Sequence, residues 1–139
     1  MRIAVVYFGF SRTESIKKVA QGFSEGLENQ GHQVDIIDGI KDSDKKLTPY
    51  GYVLIGVAGP SLFSGKLPPQ ILEYLKNSGN LVGKRSFGFV LKQPLFSQKV
   101  LSKLMRVMES EGMFLKLSDI VATREEAKEL SKRFIVDRS

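Results

Sequence analysis

Residues 3–15 read IAVVYFGFSRTES and decide the fold of this chain. The apolar run at their start predicts a buried strand, and the polar turn that follows leads into a helical pattern. The first amides of a helix have no intrahelical partners and lie at the positive end of its dipole, so this junction predicts an anion cradle. Ser11, Thr13 and Ser15 add hydroxyl groups that a phosphate can bridge. We expect the function to depend on whether a phosphate binds there.

Length and composition predict one domain over residues 1–139. The chain is 42% hydrophobic and 26% charged, as is usual for a globular protein. No apolar run approaches the roughly 20 residues that cross a bilayer, and Met1-Arg2 leads directly into the first strand instead of into a signal peptide. We therefore expect a cytoplasmic protein with no membrane partner.

The chain has no cysteine and one histidine, which excludes thiolate chemistry and a multi-histidine metal site. We expect no metal and no catalytic side chain. The net charge is +6, but the basic residues are spread along the sequence. Dispersed charge favours an acidic partner only weakly, and without a basic cluster we expect no nucleic-acid binding.

Five short apolar runs alternate with helical patterns, which is typical of strands buried on both faces of a parallel sheet. The sequence thus predicts an α/β fold with a doubly wound five-stranded sheet and helices on both faces. The expected strands are Arg2 to Phe8, Gln33 to Asp38, Tyr52 to Gly59, Arg85 to Leu91, and Phe114 to Val121.

The first predicted helix carries an apolar stripe from Ile16 to Leu27 and ends at Gly31 as its C′ residue. Its internal Gly22 and Gly26 indicate close packing on a neighbour. Further helices are expected from Leu67 to Asn77, from Ser97 to Glu111, and after Thr123, where Thr123 and Glu126 form a capping box. Residues 39–51 are polar and interrupted, so they predict a loop or one short helix.

In a sheet of this kind a ligand lies beyond the carboxyl ends of the strands. Three loops should meet there: Gly9 to Ser15, Gly59 to Leu67, and Lys92 to Ser97. The second loop carries Phe63 and the third carries Phe96. Two aromatic loops beside an anion cradle suit a flat ring system joined to a phosphate.

With these features the chain resembles the flavodoxin family and its small flavodoxin-like relatives. The resemblance spans essentially the whole chain and rests on two segments. In residues 3–27, Ser11-Arg12-Thr13 followed by Lys17 to Ala20 looks like the family's phosphate loop and first helix. In residues 52–75, the run from Tyr52 to Gly56, followed by Phe63, Gly65 and Leu67-Pro68-Pro69, looks like its third strand, flavin-flanking loop and next helix. It implies strand order 2-1-3-4-5 and FMN held without a covalent bond. In the resemblance Ser11, Arg12, Thr13 and Ser15 bind the FMN phosphate, while Phe63 and Phe96 flank the ring. Lys92 and Gln93 are further candidates at the edge of the flavin.

The phosphate loop departs from the family pattern where Glu14 replaces a glycine, Ile16 replaces a hydroxyl residue, and Gly9-Phe10 lengthens the turn. A carboxylate about 4 Å from a phosphate charge costs roughly 4 kcal/mol at an effective dielectric near 20. Ser11 and Glu14 also fit a capping box, in which the carboxylate takes the place of a phosphate. In one alternative, Arg12 pairs with the phosphate. In another, Ser15 supplies a hydroxyl from a shifted register while Glu14 points to solvent.

Two hypotheses remain open at this point. The first is an FMN-binding protein with electron-transfer or small redox function, either a non-enzymatic carrier or an FMN-dependent oxidoreductase. Its partner would be a redox protein, which an acidic surface would suit, or a small-molecule acceptor. The second is a flavodoxin-fold interaction or regulatory module that has lost FMN. A phosphoreceiver lacks its acidic pair, and a dinucleotide site lacks its Gly-x-Gly-x-x-Gly. The oligomeric state is left open.

Overall fold

The structure is a computed structural model that describes residues 1–59 and 65–134. Its five strands form one parallel sheet in the order β2-β1-β3-β4-β5, as predicted. The three inner strands are almost wholly buried, because helices cover both faces of the sheet. The strands are β1 (Arg2–Gly9), β2 (Gln33–Asp38), β3 (Tyr52–Ala58), β4 (Arg85–Leu91) and β5 (Phe114–Val121).

The helices of the described chain divide between the two faces. They are α1 (Thr13–Glu28), α2 (Gln70–Lys76), α3 (Ser97–Ser110) and α4 (Arg124–Ser131). The helices α1 and α4 cover one apolar core, and α2 and α3 cover the other. None of these helices is long and apolar enough to cross a membrane.

Two predicted helix boundaries were wrong by a few residues. Leu67 and Pro68 lie outside α2, and Pro69 is its N-cap, so the prolines precede the helix and are not part of its first turn. The first helix ends at Glu28, and Gly31 follows with a φ of 92°, a left-handed conformation that glycine adopts without strain. Residues 39–51 form turns without a helix.

The two glycines within α1 make room for α4, which confirms their predicted packing role. A Cβ atom on Gly22 would overlap the carbonyl oxygen of Arg124, and one on Gly26 would overlap the side chain of Ser131. The two helices therefore pack with their backbones in close contact. Arg124 also forms an ion pair with Glu25 across the same interface.

The predicted capping box begins α4. The Thr123 hydroxyl accepts a hydrogen bond from the Glu126 amide at 3.1 Å. The Glu126 carboxylate accepts from the amide of Ala122 at 3.1 Å, one residue earlier than the amide of Thr123 that the motif predicts. The cap fixes the turn between β5 and α4.

Candidate functional site

The strand order places β1, β3 and β4 side by side, and hydrogen bonds join the loops that follow them. The Ser11 hydroxyl donates to the carbonyl oxygen of Gly59. The Arg12 guanidinium donates to the carbonyl oxygen of Lys92 at 2.8 Å. The first bond ties the β1–α1 loop to the end of β3, and the second ties it to the β4–α3 loop. Gly59 at the start of the second predicted loop and Lys92 at the start of the third therefore lie beside the first loop at the switch point of strand order, while residues 60–64 lie outside the described residues.

The N-terminus of α1 has no side-chain cap among the described residues. The helix begins at Thr13 with Arg12 as its N-cap, and the first intrahelical bond to Arg12 comes from the Ile16 amide at 3.1 Å. The capping box considered for Ser11 and Glu14 does not form, because the Ser11 hydroxyl bonds to Gly59 instead. The amides of Thr13, Glu14 and Ser15 are thus the donors that this end of the helix presents.

Arg12 has a φ of 51°, in the left-handed region that a non-glycine residue adopts at some cost. This conformation turns the chain sharply between β1 and α1. Gly9 permits the tight turn, since a Cβ atom there would lie only 2.9 Å from the Thr13 hydroxyl oxygen. The Thr13 hydroxyl in turn donates to the Gly9 carbonyl at 3.1 Å.

The three hydroxyls predicted to bind a phosphate, those of Ser11, Thr13 and Ser15, differ in whether their hydrogen-bond donor is already used. Those of Ser11 and Thr13 already donate to main-chain carbonyl groups. The Ser15 side chain is half-buried and makes no side-chain hydrogen bond within the described chain. Ser15 is accordingly the hydroxyl that can donate to an anion without giving up another bond.

The Glu14 side chain is exposed to solvent. Its charge acts on Tyr7, whose pKa is raised by burial first, then by Asp38, and further by Glu14 and Asp42. The Tyr7 hydroxyl donates to Asp38 at 3.4 Å. Glu14 thus belongs to the acidic side of the site, next to β2, and does not cap the helix amides.

The position of Ile16 explains how the helix accommodates the loss of a hydroxyl residue there. Its side chain is 0% exposed and packs in the core beneath α1, together with Val19 and Phe23. An apolar residue at this position stabilises the helix on the sheet. It also means that residue 16 contributes no hydroxyl to the cradle.

The β4–α3 loop presents one exposed aromatic ring. Phe96 is the N-cap of α3, has a φ of 66°, and is 47% exposed. The Lys99 ammonium lies 5.8 Å from the centre of its ring. Gln93, by contrast, is buried, and its side-chain amide donates to the Leu95 carbonyl at 2.6 Å, so it shapes the loop from within.

The remaining predicted ring contact, Phe63, lies outside the described residues. The Lys92 side chain is exposed, while its carbonyl oxygen holds Arg12. Within the described chain no cluster of metal-ligating side chains occurs.

Comparison with known proteins agrees with this architecture. No protein-family model and no curated protein matches the chain. Among solved structures, oxidised flavodoxin 1 from Bacillus cereus matches with a TM-score of 0.79 over 100% of both chains at 15% identity. Flavodoxin 2 from the same organism matches with a TM-score of 0.72 over 95% of this chain and 96% of its own, at 16% identity. This chain has the flavodoxin-like fold.

The flavodoxin of Streptococcus pneumonia gives a similar match, with a TM-score of 0.68 over 95% of this chain and 96% of its own, at 15% identity. The flavodoxin-like fold therefore extends over the length of the chain. At such low identities the likeness concerns the fold, and the chemistry of the site rests on the residues described above.

The sequence did not reveal a basic groove between α2 and α3, next to this site. Lys99, Lys103 and Arg106 follow one another at helical spacing, which could have indicated a common face. The wall of the groove comes from residues just before α2, and their approach to α3 depends on the tertiary fold. The sequence alone carries no signal for that approach.

Proposed function

We propose that the protein binds FMN at the carboxyl edge of the sheet and transfers electrons through it. The observation that carries this proposal is the uncapped N-terminus of α1, held beside the ends of β3 and β4 by Ser11 and Arg12. Backbone amides at a helix N-terminus are suited to a phosphate. The same edge offers an exposed ring, Phe96, for stacking against a flat cofactor.

The residues present fit such a group without breaking a hydrogen bond of the loop. The amides of Thr13, Glu14 and Ser15 and the Ser15 hydroxyl would bind phosphate oxygens. Arg12 has five N–H donors, so one can remain on the Lys92 carbonyl while another reaches the phosphate. The Ser11 hydroxyl would stay on Gly59 and keep the loop closed.

When bound, FMN would supply the electron transfer, in one- or two-electron steps. The chain would position the flavin and exclude water from one face of its ring by means of Phe96. The charged residues around the flavin would set its reduction potential. No acid or base side chain of the protein is needed for this function.

The test is to titrate the purified protein with FMN and with riboflavin, following the quenching of flavin fluorescence. We expect FMN to bind at least about 10-fold more tightly than riboflavin, because a charge-assisted hydrogen bond contributes about 1.5–3 kcal/mol. Ser15→Ala should weaken FMN binding by about 10-fold and leave riboflavin unchanged, whereas the exposed Ser102→Ala on α3 should change neither. Equal affinity for FMN and riboflavin would contradict the proposed phosphate site.

The second candidate is an interaction or regulatory module without a flavin. It is favoured by the Ser11 and Thr13 hydroxyls, which already donate to carbonyl groups, and by the acidic Glu14 in the first turn of α1. This function predicts a colourless protein as isolated and no quenching at micromolar FMN. Stoichiometric FMN binding in calorimetry would exclude it.

A further inference from the structure

One face of α3 is basic along most of its length. Lys99, Lys103 and Arg106 are spaced by four and then three residues, so they lie on the same side of the helix. The Lys103 side chain is half-buried and that of Arg106 is exposed. This basic face is continuous with a groove between α3 and the residues that lead into α2.

The groove has a volume of about 450 Å³ and combines cations with an apolar floor. Lys66 joins Lys103 and Arg106 around it, and none of the described residues that line it is acidic. The apolar part of its lining includes Leu67, Leu72 and Val107. The acids on and just after α2 and α3, Glu73, Glu109 and Glu111, lie outside this lining, and Glu111 pairs with Lys76 at 3.4 Å.

The basic face begins at the candidate flavin site. The Lys99 side chain passes close to Gly65, where a Cβ atom would lie 2.8 Å from the Lys99 Cδ, and its ammonium lies over the Phe96 ring. From Phe96 to Arg106 the helix rises by about 15 Å. A protein bound over the groove would have a contact area wide enough to span this distance and reach the mouth of the site.

We propose that the groove docks an acidic electron-transfer protein. This inference rests on the proposed function, because it names the partner that would exchange electrons with the bound flavin. An apolar centre bordered by charges is the composition of a protein–protein interface. A basic border around it selects an acidic partner, and steers that partner most strongly at low salt. Single-stranded nucleic acid is the less suitable occupant, because no aromatic side chain lines the described groove for base stacking.

The test is to measure association of the flavin-free protein with a small acidic [2Fe–2S] ferredoxin by biolayer interferometry. The variant K103E/R106E reverses two groove charges, and K41E/K45E reverses two exposed charges in the loop after β2. Each pair lowers the net charge from +6 to +2, since each reversal changes it by two units. The control is thus matched in charge. The milder K103Q/R106Q removes the same groove charges without adding acids.

We expect K103E/R106E to slow association by at least about 10-fold at low ionic strength, K103Q/R106Q to slow it less, and K41E/K45E to change it by less than about 2-fold. Raising the salt should slow the native protein far more than the groove variants. The inference would be overturned if the groove and control variants lost association rate equally, or if no variant associated more slowly than the native protein. Tighter, groove-dependent binding of a uridine oligonucleotide would overturn it in favour of nucleic acid.

The same measurements separate this inference from the proposed flavin site, because they need no cofactor. Groove-dependent ferredoxin binding by a protein that fails to bind FMN would leave the docking surface intact and refute its link to a flavin. Tight FMN binding without groove-dependent association would refute the docking surface alone.

Discussion

The charge of Glu14 gives the sharpest test of how the α1 N-terminus works. The exposed position of its carboxylate makes it a distant, hydrated charge, not an occupant of the cradle. We predict that Glu14→Gln strengthens FMN binding only modestly, by about 5-fold. Glutamine keeps the size and helix propensity of the side chain, so the substitution changes the charge alone.

The expected magnitude follows from the solvent around this side chain. A carboxylate in water about 8 Å from a phosphate dianion repels it by about 1 kcal/mol at a dielectric near 80, which is roughly a 5-fold effect. A carboxylate turned into the cradle, about 4 Å away at an effective dielectric near 20, would cost roughly 4 kcal/mol for each phosphate charge. Removal of such a group would strengthen binding by about a thousandfold or more.

The assay is FMN titration at two ionic strengths, with Glu125→Gln as the matched control. Glu125 is also an exposed acid in the first turn of a helix, but it lies on α4. At low salt we expect about 5-fold tighter binding for Glu14→Gln and no change for Glu125→Gln. At high salt the gain should shrink, because exposed charges are screened. A gain above about 100-fold, or one that salt leaves intact, would refute the assignment of Glu14 to solvent.

Two further predictions concern stability. Burial raises the pKa of Tyr52 to about 12, so the neutral phenol stabilises the fold fully below pH 10 and its contribution is lost as the pH rises from 10 to 12. In urea titrations across that range, Tyr52→Phe should lose less stability than the native protein, by at most about 3 kcal/mol. Parallel losses in the two proteins would contradict this prediction. Gly26→Ala should destabilise the protein by about 1–2 kcal/mol, because overlap with Ser131 outweighs the helix propensity gained. The exposed Lys18→Ala is the control and should leave the stability unchanged. A Gly26→Ala variant more stable than the native protein would contradict the prediction and show that α4 can move aside.

The fold was predictable because its determinants are local. Apolar runs such as residues 3–8 can be buried on both faces only within a sheet covered by helices, and the spacing from Ile16 to Leu27 specifies a helix that covers one face. All five predicted strands appear within one residue of their predicted bounds. The start of α2 was less predictable, because prolines suit both the first turn of a helix and the residues just before it.

The candidate site was only partly predictable, because its hydrogen bonds join residues far apart in the sequence. The meeting of three loops follows from parallel strands and could be expected. The hydrogen-bond partner of the Ser11 hydroxyl could not be predicted, because the Gly59 carbonyl lies 48 residues away in the sequence. A local capping box with Glu14 was the competing arrangement. Arg12 likewise bonds a carbonyl 80 residues away. The local pattern allowed a capping box as one alternative, and the tertiary contact formed instead.

Charge divides the carboxyl edge of the sheet into two sides. Next to β2, burial raises the pKa of Tyr7, and the nearby acids Asp38, Glu14 and Asp42 raise it further. On the α3 side, Lys103 and Arg106 line a groove without an acidic residue among its described members. The exposed Lys41 and Lys45 stand in the same loop as Asp42, so the first side carries charges of both signs, whereas the charged residues that line the groove are all basic. An acidic protein that approaches this edge is therefore attracted most strongly by the groove, which orients the approach as well as accelerating it. Because the candidate flavin site lies between the two sides, the same division would turn the partner's acidic surface toward α3 and bring it against Phe96.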